Sequence, residues 1–165
     1  MKRFCKNKGF TLVELLVVMA IAMIVATLVL ISFNVVDNAN VTKSAHRLEH
    51  LIRTARSRAM SKGADAGQMT IEKRGDGNYY AVIGTGANQT SEMICNAGVE
   101  VTAAADYNAT AGVAFTSTPI VFRTNGALRY GTGQTVYRKF FLHRDARTME
   151  VIIYEETGAV DVNMQ

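Results

Sequence analysis

The sequence predicts an α+β protein in which one long N-terminal α-helix packs on an antiparallel β-sheet domain. Three observations lead to this prediction. A predominantly apolar run fills residues 10 to 33, and a stripe of apolar residues at helical spacing follows from residue 41 to 59. Short segments with strand-like composition, separated by turn residues, then occupy residues 64 to 165.

The apolar run predicts a retained membrane span rather than a cleaved secretory signal. Signal peptides have an apolar region of about 7 to 15 residues. Here residues 15 to 31 are interrupted only by Thr27, and the run from 10 to 33 is about long enough to cross a bilayer. The basic residues before it place the amino-terminal side in the cytoplasm and the rest of the chain on the other side: Lys2, Arg3, Lys6 and Lys8.

Glu14 is the one acid inside this run. A carboxylate at the centre of a span costs about 2.5 to 3.5 kcal/mol on insertion scales, and less near the interface. One interpretation is a side chain that reaches the interface and has no role. The glutamate side chain is shorter than that of lysine or arginine, so it is poorly suited to reach the interface. The second interpretation, which we favour, is a carboxylate that pairs with a cation within the membrane.

The octapeptide Gly9-Phe10-Thr11-Leu12-Val13-Glu14-Leu15-Leu16 resembles the class III signal of type IV pilins and type II secretion pseudopilins. The resemblance implies that prepilin peptidase cuts after Gly9 and methylates the new amino terminus at Phe10. It also implies that Glu14 pairs with the amino terminus of a neighbouring subunit in a filament. The expected domains of this pilin-like fold are a removed leader (1–9), a transmembrane and assembly helix (10–33), its amphipathic continuation (34–63) and a β-rich domain (64–165). Many pilins carry a glycine and a proline where this chain has Met23 and Ile31, so the helix is expected to stay unbroken.

The amphipathic continuation has one apolar face and one basic face. The apolar positions recur every three or four residues, as one face of a helix requires: Val41, Ala45, Leu48, Ile52, Ala55 and Ala59. Gly63 is expected to end the helix. The opposite face carries one acid, Glu49, and six cations. The cations are Lys43, Arg47, Arg53, Arg56, Arg58 and Lys62. This face is either solvated, docked on an acidic patch of a partner subunit, or used to bind DNA.

Catalytic and metal-binding signals are weak. His46 and His50 fit an H-x-x-E-H zinc pattern, but nothing near in sequence supplies a third ligand. No phosphate loop, nucleophile elbow or paired cysteine motif is found. We therefore predict no metal, no cofactor and no enzyme activity. Cys95 is predicted to be a small core residue, because loss of residues 1–9 removes Cys5 and leaves it without a partner.

The strand-like segments predict a series of hairpins. Gly75-Asp76-Gly77 separates two alternating segments, residues 91 to 103 read as a weaker strand pair, and Asn125-Gly126 marks another turn. Residues 134 to 163 read as a three-stranded meander that turns at Arg144-Asp145 and Gly158. Two stretches resemble H-type minor pseudopilins and minor pilins of the FimT and FimU kind: Ile120-Val121-Phe122 with Gly126, and Val151-Ile152-Ile153 followed by Gly158 and Val160. Ala159 stands where many of these relatives have arginine.

Charge and resemblance together lead to two functional hypotheses. Residues 10 to 165 hold 14 basic and 14 acidic residues, so the net charge of +4 belongs to residues 1 to 9. The favoured hypothesis is a minor pilin or pseudopilin of a filament rooted in the inner membrane. Its partners would be prepilin peptidase, other pilin subunits and the membrane, which it crosses once. The alternative is a DNA-binding minor pilin that acts in DNA uptake, since basic blocks at 41–62 and 123–147 offer sites for phosphate.

Overall fold

The computed structural model of the chain describes residues 10–129 and 135–165, with the backbone alone over residues 28–38. The first element is helix α1, Leu12–Lys62, which confirms an unbroken helix that starts two residues later than expected. The chain forms two compact units, and α1 contributes residues to both. The second unit is Asp37–Gln165. Gly63 ends the helix as predicted, with a positive φ of 97° that favours glycine and its N–H donating to Ala59 O at 3.1 Å.

The apolar stripe of α1 faces the core of the second unit. All six predicted positions, from Val41 to Ala59, are fully buried. The buried face is wider than predicted, because Ser44 and Leu51 are buried as well. The Ser44 hydroxyl donates to Asn40 O at 2.8 Å, so this buried polar group is satisfied within the helix. The stripe is therefore the helical contribution to a core that it shares with the strands.

A four-stranded antiparallel sheet forms one wall of this core. Its strands are β1 (Met69–Lys73), β2 (Tyr79–Ile83), β3 (Thr90–Cys95) and β6 (Ser117–Ile120), in the order β3-β2-β1-β6. The predicted β1–β2 hairpin is confirmed. Its turn is closed by the N–H of Gly77, which has a φ of 80° and donates to Arg74 O at 2.8 Å. Asp76 also accepts from the Asn78 N–H at 2.9 Å, the short-range bond that makes Asp common in turns.

A five-stranded antiparallel sheet forms the other wall. Its strands are β4 (Glu100–Ala104), β5 (Val113–Ala114), β7 (Lys139–Arg144), β8 (Arg147–Ile153) and β9 (Val160–Met164), in the order β5-β4-β7-β8-β9. Strands β7, β8 and β9 confirm the predicted meander. Asp145 takes a φ of 53° in the first of its turns and Gly158 a φ of 63° in the second. The predicted turn at Asn125-Gly126 is also present, between Phe122 and Leu128.

The predicted pairing within residues 91–103 is wrong. Two strands do form there, but β3 pairs with β2 and β4 pairs with β7. A turn that is closed by Val99 N–H donating to Asn96 O at 3.0 Å carries the chain from one sheet to the other. The pairing of β4 with β7 places Val101 opposite Leu142 in the core, which buries more apolar surface than a two-stranded ribbon would.

Candidate assembly and contact sites

The start of α1 is a capping box made by Thr11 and Glu14. The Glu14 N–H donates to Thr11 Oγ1 at 3.2 Å, and the Thr11 N–H donates to Glu14 Oε2 at 3.4 Å. Each side chain thus satisfies a backbone donor that the first helical turn leaves without a partner. The spacing Thr11-x-x-Glu14 is itself the sequence signal for this motif, which was not among the predictions made from the sequence.

The capping box gives the Glu14 carboxylate hydrogen-bond partners within its own chain, which offsets part of the free energy that its desolvation costs. Part of the carboxylate's hydrogen-bonding capacity is used within its own chain, through long bonds of 3.4 and 3.5 Å to Thr11. A carboxylate has about four acceptor positions, so capacity for a further cation remains. Phe10, the expected new amino terminus, is 79% exposed beside this site. Gly9, the expected cleavage residue, and the rest of the leader lie outside the described residues.

The first part of α1 has apolar side chains on all sides. The large ones are each between 48% and 81% exposed in the single chain: Phe10, Leu12, Val13, Leu15, Leu16, Val17, Val18, Met19, Ile21, Met23, Ile24 and Val25. Within the described residues, no helix reaches the length and hydropathy of a membrane span. The span expected over residues 10–33 stays a prediction. An exposed apolar surface of this extent marks a region that contacts other molecules.

The basic face of α1 is not one free surface. Arg53 donates to Glu49 Oε1 at 2.8 Å and to Val160 O at 2.8 Å, which ties the helix to β9. Arg56 donates to Gly126 O at 3.3 Å. Arg58 donates to Thr90 Oγ1 at 2.9 Å at the start of β3. Three of the six predicted contact residues therefore hold the domain together, because an arginine is long enough to reach around the helix to the strand ends.

The other three cations of this face are available for contacts with other molecules. Lys43, Arg47 and Lys62 are exposed, and none of them makes a hydrogen bond or ion pair with the described residues. Lys43 and Arg47 border a small cleft of about 160 Å³ beside Met93 and Asn96, at the edge strand β3. The free positive charge is thus concentrated near the start of the amphipathic segment and at its end.

The second basic block, residues 123–147, is paired only in part with acids of β8 and the segment after it, because Arg123 and Arg129 are exposed and their side chains make no hydrogen bond or ion pair with the described residues. Arg138 lies 2.7 Å from Glu155, and Lys139 lies 2.9 Å from Glu150. The Lys139 and Glu150 side chains are only 8% and 11% exposed, and the Lys139 ammonium also donates to Ala109 O at 2.9 Å. A buried, hydrogen-bonded pair of this kind holds strands together and offers no charge to a phosphate.

The histidine pattern on α1 is part of an ion-pair network. His46 Nδ1 lies 3.2 Å from Glu49, which also binds Arg53. Burial raises the pKa of the Glu49 carboxyl, but hydrogen bonds and charge from His46 and Arg53 outweigh it, so the pKa is lowered overall. Over residues 10–129 and 135–165, no group of three or more metal-binding side chains comes together.

Cys95 is buried in the core, as predicted. Burial raises the pKa of its thiol to about 12, and the thiol lies 3.8 Å from Val99 O. A neutral, enclosed thiol is a poor nucleophile, so this residue acts as a packing side chain.

Two family models match the chain, and the residues that they match include those of the sites just described. A model of the prokaryotic N-terminal methylation motif matches residues 5–30, which include Phe10, Thr11 and Glu14. A model of type II transport protein GspH matches residues 44–156, which include most of the buried stripe and strands β1 to β8. No curated protein and no solved structure matched the chain.

Proposed function

The chain belongs to the family of type II transport protein GspH, within the pilins and pseudopilins, and we propose that it is a minor subunit of a membrane-rooted filament. In this proposal prepilin peptidase removes residues 1–9 and methylates Phe10. The first part of α1 then anchors the subunit in the inner membrane as a single span, with the second unit on the extracytoplasmic side. The filament is a type II secretion pseudopilus or a type IV pilus, and the subunit has no enzymatic role.

The observation that carries this proposal is the contrast between Glu14 and its surroundings. A single carboxylate lies at the start of a helix segment whose large apolar side chains are all exposed in the isolated chain. Packing these side chains against lipid or neighbouring helices leaves the charge in a low-dielectric environment, where a cation is attracted far more strongly than in water. The methylated amino terminus of a neighbouring Phe10 is such a cation, so pairing it with Glu14 favours assembly.

The alternative function, DNA binding, has less support. Three of the six cations on the helix face contact their own chain, and Arg138 and Lys139 of the second basic block are paired with Glu155 and Glu150. The cations that remain for contacts with phosphate are Lys43, Arg47, Lys62, Arg123 and Arg129. Tight DNA binding by the full-length protein that weakens steeply with salt, and that Lys43→Glu and Arg47→Glu abolish, would favour this alternative.

The decisive test separates the charge of Glu14 from its capping role. Glutamine can replace glutamate in a capping box, so Glu14→Gln keeps the cap and removes the charge, whereas Glu14→Val removes both. Thr11→Val is the matched control, because it weakens the cap and keeps the charge. We expect all three full-length proteins to stay in the membrane fraction. Both Glu14 variants should fail to co-purify with the other filament subunits, and Thr11→Val should still co-purify.

Two outcomes would contradict the proposal. Normal co-purification of Glu14→Gln together with failure of Glu14→Val would make the cap, and not the charge, the feature that matters. A filament-associated protein that keeps residues 1–9 would exclude processing. Mass spectrometry of that protein should instead show N-methyl-Phe10 at its start, and Gly9→Val should leave the precursor uncut in the membrane.

A further inference from the structure

The second unit has an open cleft of about 450 Å³ that no part of the assembly proposal uses. It is lined by Tyr107, Tyr154, Glu155, Glu156 and Thr157. We propose that this cleft binds an arginine or lysine side chain presented by a neighbouring subunit of the filament. The inference rests on the proposed function, and it adds a specific docking point on the surface of the domain.

The aromatic wall of the cleft is preorganised. The rings of Tyr107 and Tyr154 stack with their centroids 6.2 Å apart and their planes 22° apart. The Tyr107 hydroxyl donates to Ile153 O at 3.2 Å and accepts from the Glu155 N–H at 2.8 Å, so this ring is fixed. Tyr154 is 46% exposed, which leaves part of its ring open to a cation. The face of an aromatic ring attracts cations through its quadrupole.

The acidic rim of the cleft supplies the charge. Glu156 is exposed and makes no hydrogen bond or ion pair with the part of the chain that the structure describes. Glu155, the other acid of the cleft, is paired with Arg138, so Glu156 is the carboxylate of the cleft that is left for a cation from outside. A guanidinium or ammonium group entering the cleft would meet the Glu156 carboxylate and the Tyr154 ring together.

The chain itself shows that this combination of ring and acid accepts an arginine. The Arg138 guanidinium lies 5.4 Å from the Tyr107 ring centroid and 2.7 Å from the Glu155 carboxylate. Tyr154 and Glu156 are the next ring and acid along the same wall. The turn that carries them is held by Tyr154 N–H donating to Ala159 O at 2.8 Å and Gly158 N–H donating to Tyr154 O at 2.6 Å. Little ordering is therefore needed when a cation binds.

Charge complementarity indicates a protein subunit as the source of the cation. The cleft is open, and its volume of about 450 Å³ has room for one long side chain. Exposed cations without partners, such as Lys43 and Arg47 of this chain, show that a subunit of this kind presents suitable groups. Contacts between repeating subunits in a filament join two different surfaces, so an acidic cleft on one subunit can meet a basic face on the next.

Site-specific photo-cross-linking in cells that assemble the filament tests this inference on the full-length protein. Benzoylphenylalanine at Thr157, on the rim, should form an adduct with a filament subunit at a peptide that contains an exposed lysine or arginine. Glu156→Lys should lower the adduct yield about tenfold, since it replaces attraction by repulsion. Glu156→Gln and Tyr154→Leu should lower it less. Glu92→Lys makes the same charge change on β3 and should leave the yield unchanged.

The results of this experiment distinguish failure of the cleft proposal from failure of the proposed function. A protein that co-purifies with filament subunits but gives no adduct at Thr157 overturns the cleft proposal and leaves the function standing. An adduct whose yield is unaffected by both Glu156 variants, or that maps to a peptide without lysine or arginine, also overturns it. Failure of the unmodified protein to co-purify with any subunit overturns both. A melt by circular dichroism confirms that each variant stays folded.

Discussion

The two parts of helix α1 differ in apolar content and have opposite exposure. Between Leu12 and Val25 the large apolar side chains are exposed in the single chain, whereas Val41, Leu48 and Ile52 are fully buried. The difference follows from patterning, because the first part is apolar all round and the second only on one face. A one-sided stripe is covered by a sheet of the same chain, but an all-round apolar surface needs other molecules to cover it. Folding of the second unit therefore depends on the second part, and the first part is left exposed for contacts with other molecules.

Charged groups follow the same division. Among the described residues, Glu14 has only its capping residue, Thr11, as a partner. Glu150, in contrast, is paired at 2.9 Å with Lys139 inside the domain, so its charge is compensated without any partner molecule. An uncompensated carboxylate beside exposed apolar surface indicates an intermolecular site, and a compensated one indicates a structural site.

The largest effect expected is on Leu48. Leu48→Asp buries an unpaired charge in a site with no solvent access and should cost several kcal/mol, against a total stability of about 5 to 15 kcal/mol for a domain. Residues 34–165 carrying this change should be unfolded by circular dichroism. Arg47→Asp, on the exposed face, should leave the melt unchanged. If Arg47→Asp unfolds the domain and Leu48→Asp does not, the assignment of the two faces is reversed.

A matching change in the first part of α1 should have the opposite consequence. Leu16 is exposed in the single chain, so Leu16→Asp should leave the unfolding midpoint of the domain in the full-length protein unchanged. A charge within a span costs about 2.5 to 3.5 kcal/mol, so membrane retention or co-purification with filament subunits should be reduced. A lowered midpoint in Leu16→Asp would show that the first part also supports the fold.

The next effect concerns the buried ion pair of β7 and β8. Lys139→Met leaves Glu150 buried and unpaired, which should destabilise the domain by about 3 to 5 kcal/mol. The double change Lys139→Met with Glu150→Met removes both charges and should restore much of this loss. Urea unfolding of the three proteins measures the difference. Equal stability of the single and double variants would show that the pair is not energetically coupled.

How much of this could be read from the sequence depends on how local each feature is. The helix, its buried stripe and its end at Gly63 follow from spacing along one segment, and all were predicted. The pairing of β4 with β7 rather than β3 was not, because strand partners are chosen by burial between distant segments. The contacts of Arg53, Arg56 and Arg58 with strand ends were missed for the same reason. The Thr11–Glu14 cap is local, and its spacing could have been recognised.

A smaller effect is expected for the arginines that join α1 to the strands. Arg56 lies against the turns at Gly126 and Gly158: an added Cβ would come within 2.9 Å of its Nε at Gly126 and within 3.1 Å of its Cδ at Gly158. It also donates to Gly126 O. Arg56→Ala should cost about 1 kcal/mol through the lost hydrogen bond and packing. Arg47→Ala, the control on the free part of the face, should change stability by less than about 0.5 kcal/mol. Thermal melts that rank them in the reverse order would contradict the division of the basic face.

The smallest effect is the acid sensitivity that Glu49 contributes. Its pKa in the folded chain is lowered, because the hydrogen bonds from His46 and Arg53 outweigh the opposing effect of burial. The stability from this group is therefore present above the pKa of the unfolded chain, about 4.3, and is lost as the pH falls through the lower folded pKa. Glu49→Gln should flatten the loss of stability below about pH 5 while Glu92→Gln, which removes an exposed carboxylate that has no partner among the described residues, should not. Denaturant unfolding at a series of pH values measures this, and identical profiles for the two variants would show that the Glu49 network contributes nothing to folding.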